Sequence, residues 1–230
     1  NKMFEKITNY KITKKSNKNS IIFILKKKYN LFDSYQVIIF DLDNTLYDES
    51  VYLFSAYNDI GKFIEKQVGG YSGEYVSFLV TSFKKYGHHG LFDMLLSHFG
   101  LKTKIEMNDL LFLLRHTKVV LKVYDEMKMV LEYLLNRKCK VYILTNGNRE
   151  QQQNKIESLD IQEILSKIEV IYANEYVPKP SACCIDKIVI ENEVEKESVI
   201  MCGDSEVDYL AAKNAGIDFI NVKCVNNYVS

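Results

Sequence analysis

The chain has 230 residues, of which 47% are apolar and 26% are charged, as in ordinary globular proteins. A chain of this length can bury a core of its own, either as one large domain or as a core with a smaller satellite. The formal net charge is zero, but residues 1–30 hold nine lysines against a single glutamate, so the remainder is acidic. An acidic body argues against a nucleic-acid-binding protein.

The basic segment at the start of the sequence is assigned to an N-terminal extension over residues 1–35. A lysine-rich tail can contact nucleic acid or an anionic membrane, but we expect a tail without a partner, since no recognisable binding module accompanies it. No apolar run reaches the length of a membrane span, roughly 18 residues. The run Ile21–Leu25 is also too short for a signal peptide. We therefore expect a soluble, cytoplasmic protein that does not bind a membrane.

The five cysteines form neither a disulfide pattern nor a zinc pattern. Their number is odd, Cys183 and Cys184 are adjacent, and no CxxC spacing occurs. We expect reduced thiols, several of them in apolar surroundings.

Five short apolar runs rich in β-branched residues predict strands that are covered on both faces, because none alternates strictly with polar residues. Helical patterns lie between them, and this alternation predicts an α/β fold: a Rossmann-like, parallel, doubly wound sheet. The predicted strands are Val37–Phe40, Val141–Leu144, Ile168–Tyr172, Val199–Cys202 and Phe219–Val222.

The segment between the first two strands breaks this rhythm. It contains no strand pattern, and Leu53, Tyr57, Ile60 and Ile64 follow helical spacing. More than about 15 residues is unusual for a simple connection, and this one exceeds seventy. We therefore predict an inserted all-α cap domain over residues 50–123, with the core formed by residues 36–49 and 124–230.

Polar and charged residues follow four of the predicted strands. In open α/β sheets the ligand site lies beyond the carboxyl ends of the strands. The four strand ends supply two carboxylates, a hydroxyl, a lysine pinned between two prolines, and two more carboxylates. Together these groups suit an anionic phosphoryl group and a hard divalent cation. They are Asp41 and Asp43, Thr145, Lys179, and Asp204 and Asp208.

With these residues the chain resembles the haloacid dehalogenase-like superfamily, whose four motifs it matches in order. They are DxDxT at Asp41–Thr45, a threonine after a hydrophobic strand at Thr145, a lysine at Lys179, and GDxxxD at Gly203–Asp208. The resemblance is greatest to phosphatases with a helical cap between the first two motifs.

The resemblance implies a role for each motif residue. Asp41 would be the nucleophile and Asp43 the general acid and base. Thr145 and Lys179 would hold phosphate oxygens, with the Asn146 amide or side chain nearby. Mg²⁺ would be bound by Asp41, by the Asp43 backbone carbonyl and by Asp204, with Asp208 acting on it indirectly. A small-molecule phosphate monoester of a sugar, a sugar alcohol or a similar metabolite would be the substrate.

Several alternatives stay open at this point. A nucleoside 5′-monophosphate phosphatase or a phosphomutase would use the same core, and a binding or scaffold module would keep the core without turnover. Asp43 argues against a haloacid dehalogenase, because those enzymes lack the second aspartate of DxDxT. A Schiff-base lysine in the cap, as in phosphonate hydrolases, has no supporting pattern around Lys62, Lys66, Lys84 or Lys85. The sequence does not indicate an oligomeric state.

All four histidines fall within the predicted cap. One or two of them are candidates for substrate contact, together with Arg115 and Tyr86, and the alternative is ordinary packing or surface exposure. They are His88, His89, His98 and His116.

Overall fold

A computed structural model describes residues 30–222 of the chain. Most of the predicted basic extension, residues 1–29, lies outside this range, as does Cys224. The chain folds into two compact units. We call residues 30–46, 124–146 and 163–222 the sheet unit, and residues 47–123 and 147–162 the helical unit.

The sheet unit contains a five-stranded parallel sheet in the order β3-β2-β1-β4-β5, which confirms the predicted fold class. β1 and β4 are buried throughout, as their unbroken apolar sequences predict. Each of the five predicted strands is present, with ends shifted by at most one residue. They are β1 (Val37–Phe40), β2 (Lys140–Thr145), β3 (Glu169–Tyr172), β4 (Val199–Gly203) and β5 (Asp218–Asn221).

Nine α-helices are present within residues 30–222. The long insertion between β1 and β2 forms α1 to α4, without a strand of its own, and α5 then leads into β2 as predicted. The helices are α1 (Glu49–Val68), α2 (Ser72–Tyr86), α3 (Leu91–His98), α4 (Met107–His116), α5 (Asp125–Asn136), α6 (Arg149–Glu157), α7 (Gln162–Leu165), α8 (Cys183–Glu191) and α9 (Glu206–Ala215). None of them is long and apolar enough to cross a membrane.

One apolar core of the sheet unit lies on the face covered by α8 and α9. Val37 and Ile39 of β1 point to this face, and so do Val199 and Met201 of β4. Small residues at the buried positions of α9, such as Ala211, let the helix approach the sheet closely. α9 ends at Gly216, whose left-handed conformation caps the helix.

The helical unit has its own apolar core along α1. The predicted stripe of Leu53, Tyr57, Ile60 and Ile64 is buried. α1 begins where the Asp48 side chain accepts a hydrogen bond from the Ser50 N–H at 2.9 Å. α1 packs against α2 and α4.

The helical unit also includes α6, which the sequence division placed with the core. α6 has almost no apolar side chains, so its buried face needs polar partners. Lys155 is fully buried and lies 2.9 Å from Glu49 of α1. The Asn154 side chain donates to the backbone carbonyl of Thr117 at 2.9 Å. These contacts tie α6 to the inserted helices rather than to the sheet.

Three of the four histidines pack against phenylalanine rings of the helical unit. This packing agrees with the alternative that these histidines have a packing role. Contact between a histidine and the substrate stays a prediction. The ring pairs are His88 with Phe83, His98 with Phe78, and His116 with Phe112.

Candidate active site

The carboxyl ends of β1 and β4 lie side by side where the strand order reverses, the usual ligand position in such sheets. The backbone N–H of Asp41 donates to the carbonyl of Cys202 at 2.9 Å, so the pairing continues one residue beyond β1. Asp41 is thereby aligned with the turn that follows β4 and carries Asp204.

Three carboxylates of the sheet unit converge at this position. Asp41, Asp204 and Asp208 each offer an oxygen, and these oxygens all lie within 4.8 Å of one another. Asp41 and Asp208 are buried, with 8% and 1% of their surfaces exposed, and Asp204 is half-buried. Buried carboxylates are costly unless they are paired or bind a metal. The group therefore requires compensating positive charge.

Lys179 supplies part of that charge. Its Nζ donates to Asp41 Oδ1 at 2.6 Å, to Asp208 Oδ1 at 2.7 Å and to the carbonyl oxygen of Leu144 at 2.9 Å. Only 6% of its surface is exposed, so the ammonium is held almost entirely by protein acceptors. Its three N–H groups match the three acceptors, which sets the position of the charge.

The single charge of the Lys179 ammonium does not balance the two buried carboxylates that it contacts, Asp41 and Asp208. Burial raises the pKa of Asp41, Lys179 opposes this, and the neighbouring carboxyls of Asp208 and Asp43 raise the pKa further. For Lys179, burial acts to lower the pKa, but Asp41 and Asp208 together outweigh it, and the pKa is raised. The site therefore favours an additional cation.

The donor set fits a hard divalent cation. Mg²⁺ is bound in proteins by a few carboxylate oxygens and otherwise by water and substrate oxygens. Asp41 and Asp204 are suited to hold it directly. Both oxygens of Asp208 already accept hydrogen bonds from the protein, from Lys179 and from Ser205, so this residue is suited to orient the group.

The turn after β1 holds the Asp41 carboxylate. Asn44 has φ 57°, in the left-handed region that asparagine tolerates better than most residues. The turn brings the Thr45 hydroxyl to Asp41 Oδ2, to which it donates at 3.2 Å. Asp43 is half-buried on the same turn. The DxDxT spacing thus gives Asp41 a hydroxyl donor and places Asp43 two residues beyond it.

Asp208 is held by the start of α9. Ser205 is the N-cap residue, and its hydroxyl donates to Asp208 Oδ2 at 2.6 Å. The Ser205 N–H donates to the same oxygen at 3.2 Å, and the Asp208 N–H donates to the Ser205 hydroxyl oxygen at 3.3 Å. These two bonds form a capping box. Asp208 therefore serves the helix terminus and Lys179 at once.

Gly203 leaves room for Asp208. A Cβ at position 203 would lie 2.6 Å from the Cβ, Cγ and Oδ2 atoms of Asp208, which is closer than van der Waals contact allows. We expect Gly203→Ala to destabilise the protein by about 1–3 kcal/mol and to displace Asp208. Urea unfolding would give the change in stability, and turnover would report the displacement.

Gly216→Ala is the control for this substitution. Position 216 has open space, since the nearest atom to an added Cβ is Lys196 Cδ at 3.9 Å, and only its left-handed φ opposes a side chain. It should cost about 1 kcal/mol and leave turnover unchanged. Wild-type turnover and stability in Gly203→Ala would show that Asp208 has freedom to move.

The residues at the carboxyl end of β2 lie beside Lys179. Thr145 is buried, with 2% of its surface exposed, directly after Leu144, whose carbonyl accepts from the ammonium. The Asn146 side chain bonds to the backbone of Lys179 at both its N–H and its carbonyl. The sequence pointed to Asn146 as a phosphate ligand but contained no signal for this bond to a residue 33 positions away.

Solved structures with the same fold have differing names. A putative β-phosphoglucomutase from Thermotoga maritima has a TM-score of 0.62 and 19% identity over 81% of this chain and 84% of its own. A HAD phosphatase from Thermococcus onnurineus has a TM-score of 0.55 and 20% identity over 81% and 85%. An L-2-haloacid dehalogenase from Xanthobacter autotrophicus has a TM-score of 0.52 and 16% identity over 81% and 77%. At these identities the likeness shows the fold and not the reaction.

A search of curated proteins finds no match. The family model described as haloacid dehalogenase-like hydrolase matches residues 38–222, a range that includes all four motifs and all of the strand ends described above. The chain therefore belongs to the haloacid dehalogenase-like hydrolase family.

Proposed function

We propose that this hydrolase is a Mg²⁺-dependent phosphatase that cleaves the phosphate monoester of a small metabolite through a phosphorylated Asp41. The observation that carries the proposal is the convergence of Asp41, Asp204 and Asp208, in which the two buried carboxylates, Asp41 and Asp208, share the ammonium of Lys179. A phosphate ester is itself negatively charged. It can therefore bind beside these carboxylates only when a divalent cation is also present.

Asp41 is the proposed nucleophile. One carboxylate oxygen attacks phosphorus in line, a bond to phosphorus forms, and the ester P–O bond breaks. Asp43 donates its proton to the departing alcohol. Asp43 then accepts a proton from water, which attacks the same phosphorus, releases inorganic phosphate and restores Asp41. Asp43 acts twice because each step restores the protonation state that the next step needs.

Lys179 and Thr145 are proposed to hold the non-bridging oxygens. All three donors of the Lys179 ammonium are engaged by protein acceptors, so a phosphate oxygen takes the place of one of them. When bound, Mg²⁺ would supply positive charge that lowers the repulsion between the carboxylate and the phosphate. Asp43 distinguishes this site from that of a haloacid dehalogenase, which lacks the second aspartate.

The substrate class is tested by a panel of phosphate esters. Sugar phosphates, sugar-alcohol phosphates and nucleoside 5′-monophosphates would be incubated with the protein and Mg²⁺, with phosphate release as the readout. We expect release from the first two groups and its loss when EDTA removes the metal. Release chiefly from nucleotides would make the protein a nucleotidase. Isomerisation of a sugar phosphate without release would make it a phosphomutase.

A non-enzymatic role is tested by the same panel. If no ester is turned over by folded, metal-loaded protein, the phosphatase proposal fails, and a binding or scaffold role takes its place. Absence of nucleic-acid and membrane partners and a cytoplasmic location remain predictions alongside this proposal.

A further inference from the structure

The turn that carries Lys179 is tied to its surroundings by two asparagine side chains of the sheet unit. Asn146 Nδ2 donates to the Lys179 carbonyl at 2.8 Å, and Asn146 Oδ1 accepts from the Lys179 N–H at 3.0 Å. Asn214, on α9, donates from Nδ2 to the carbonyl of Pro180 at 2.9 Å. Both elements that hold the turn also carry site residues, since Asn146 directly follows Thr145 and α9 contains Asp208.

The two hydrogen bonds from Asn146 hold both polar groups of the Lys179 backbone, its N–H and its carbonyl. A carboxamide offers one donor side and one acceptor side, and here each faces the complementary group of the same residue. The orientation of the amide is therefore unambiguous, because a flip would oppose two donors and two acceptors. The half-buried Asn146 side chain therefore uses both its amide N–H and its carbonyl oxygen to bind the Lys179 turn.

We propose that Asn146 is a positioning residue for the Lys179 ammonium, with Asn214 supporting the same turn. This inference rests on the proposed phosphatase function. Asn146 would act on phosphate through Lys179 rather than through its own side chain. We call the two hydrogen bonds from the Asn146 side chain to the Lys179 backbone the clamp. The clamp fixes the backbone from which the long Lys179 side chain extends. The acceptors on Asp41, Asp208 and Leu144 fix the position of its ammonium.

A displacement of about 1 Å in a catalytic group can cost about a hundredfold in rate. We therefore expect Asn146→Ala to lower kcat by about 10- to 100-fold for p-nitrophenyl phosphate with Mg²⁺, with a much smaller change in KM. Asn214→Ala loses one bond and should lower kcat less. A fall that appears mainly as a raised KM would mean that Asn146 holds the ground-state phosphate itself, and would overturn the proposal.

Asn192→Ala is the matched control. Asn192 is half-buried in the same unit, and its side chain also makes two hydrogen bonds, to the Tyr142 hydroxyl and the Ile188 carbonyl, both at 2.8 Å. It loses as many bonds as Asn146→Ala but leaves the Lys179 turn intact, so turnover should stay within about twofold of wild type. An equal loss of turnover in both variants would show a general effect of stability and would contradict the clamp.

A double variant tests whether Asn146 acts through the lysine. If it does, Asn146→Ala should add little to the loss caused by Lys179→Met, because the group that it positions is already absent. Losses that multiply would overturn the proposal.

Hydrogen exchange gives a reading that is independent of catalysis. The Lys179 backbone N–H is bonded to Asn146, so its exchange should accelerate in Asn146→Ala and not in Asn192→Ala. Unchanged exchange would refute the clamp. Faster exchange in a protein whose wild type releases no phosphate would keep the clamp and reject the phosphatase.

Discussion

Asp41→Asn is expected to lower phosphate release by at least about a thousandfold, because the substitution keeps the size of the side chain and removes the nucleophile. The fold should persist. Asparagine is neutral, so the cost of burying a carboxylate disappears, and Lys179 keeps its ion pair with Asp208 at 2.7 Å. Steady-state kinetics on the best ester from the panel, together with a thermal melt, would measure both effects.

The control for Asp41→Asn is Asp186→Asn. Asp186 is a surface residue of the same unit, paired with Lys196 at 2.9 Å, and 43% of its side chain is exposed. Its neutralisation should change neither turnover nor, by more than about 1 kcal/mol, the free energy of unfolding. Substantial phosphate release by Asp41→Asn would exclude Asp41 as the nucleophile. Retained ligand binding without turnover in the wild type would instead favour a binding module.

Lys179→Met is expected to reduce both stability and turnover. The substitution removes the ammonium from two carboxylates that are buried beside each other, Asp41 and Asp208. Loss of one partner from a buried pair costs about 3–5 kcal/mol. Turnover should fall by about 100- to 1,000-fold, as when a donor to a developing oxyanion is removed. Urea unfolding at neutral pH and steady-state kinetics would measure the two losses.

The stability loss in Lys179→Met should depend on pH. Without the lysine, the burial that raises the pKa of Asp41 is no longer opposed, so folding favours the protonated form of this carboxyl. The penalty is therefore small below the unfolded pKa, near 4, and grows as the pH rises. A deficit that stays constant with pH would argue that Lys179 contributes by packing rather than by charge.

Lys187→Met is the surface counterpart of Lys179→Met. Lys187 pairs with Glu191 at 3.6 Å, and 37% of its side chain is exposed. Because exposed pairs contribute about 0–1 kcal/mol, its loss should be nearly silent in both assays. If both substitutions lowered stability and turnover equally, the burial of Lys179 would not be the cause of its contribution.

The strands and the convergence of the carboxylates at their ends were predictable because their signals are local. Each strand is a short apolar run, and a run such as Val37–Phe40 can be covered on both faces only inside a sheet. The carboxyl ends of parallel strands meet at one edge, so the sequence predicts that Asp41 and Asp204 converge. The structure places their oxygens within 4.8 Å.

The grouping of α6 was not predictable from its sequence. α6 carries no apolar stripe that would mark a buried face, and it follows the core strand β2 directly. Its place in the helical unit depends on the buried pair of Lys155 with Glu49, two residues more than a hundred positions apart. An ion pair between residues so far apart produces no periodic pattern in the sequence, so the sequence does not reveal it.

The sequence by itself determined the α/β class, the helical insertion, and the identity of the residues that meet at the strand ends, because apolar periodicity and strand-end chemistry are properties of short segments. Only the tertiary structure decided that Asn146 holds the backbone of Lys179 and that Asp208 serves both a helix cap and the ammonium. A side-chain hydrogen bond depends on where two distant segments come to lie, and that position is set by the packing of the whole unit.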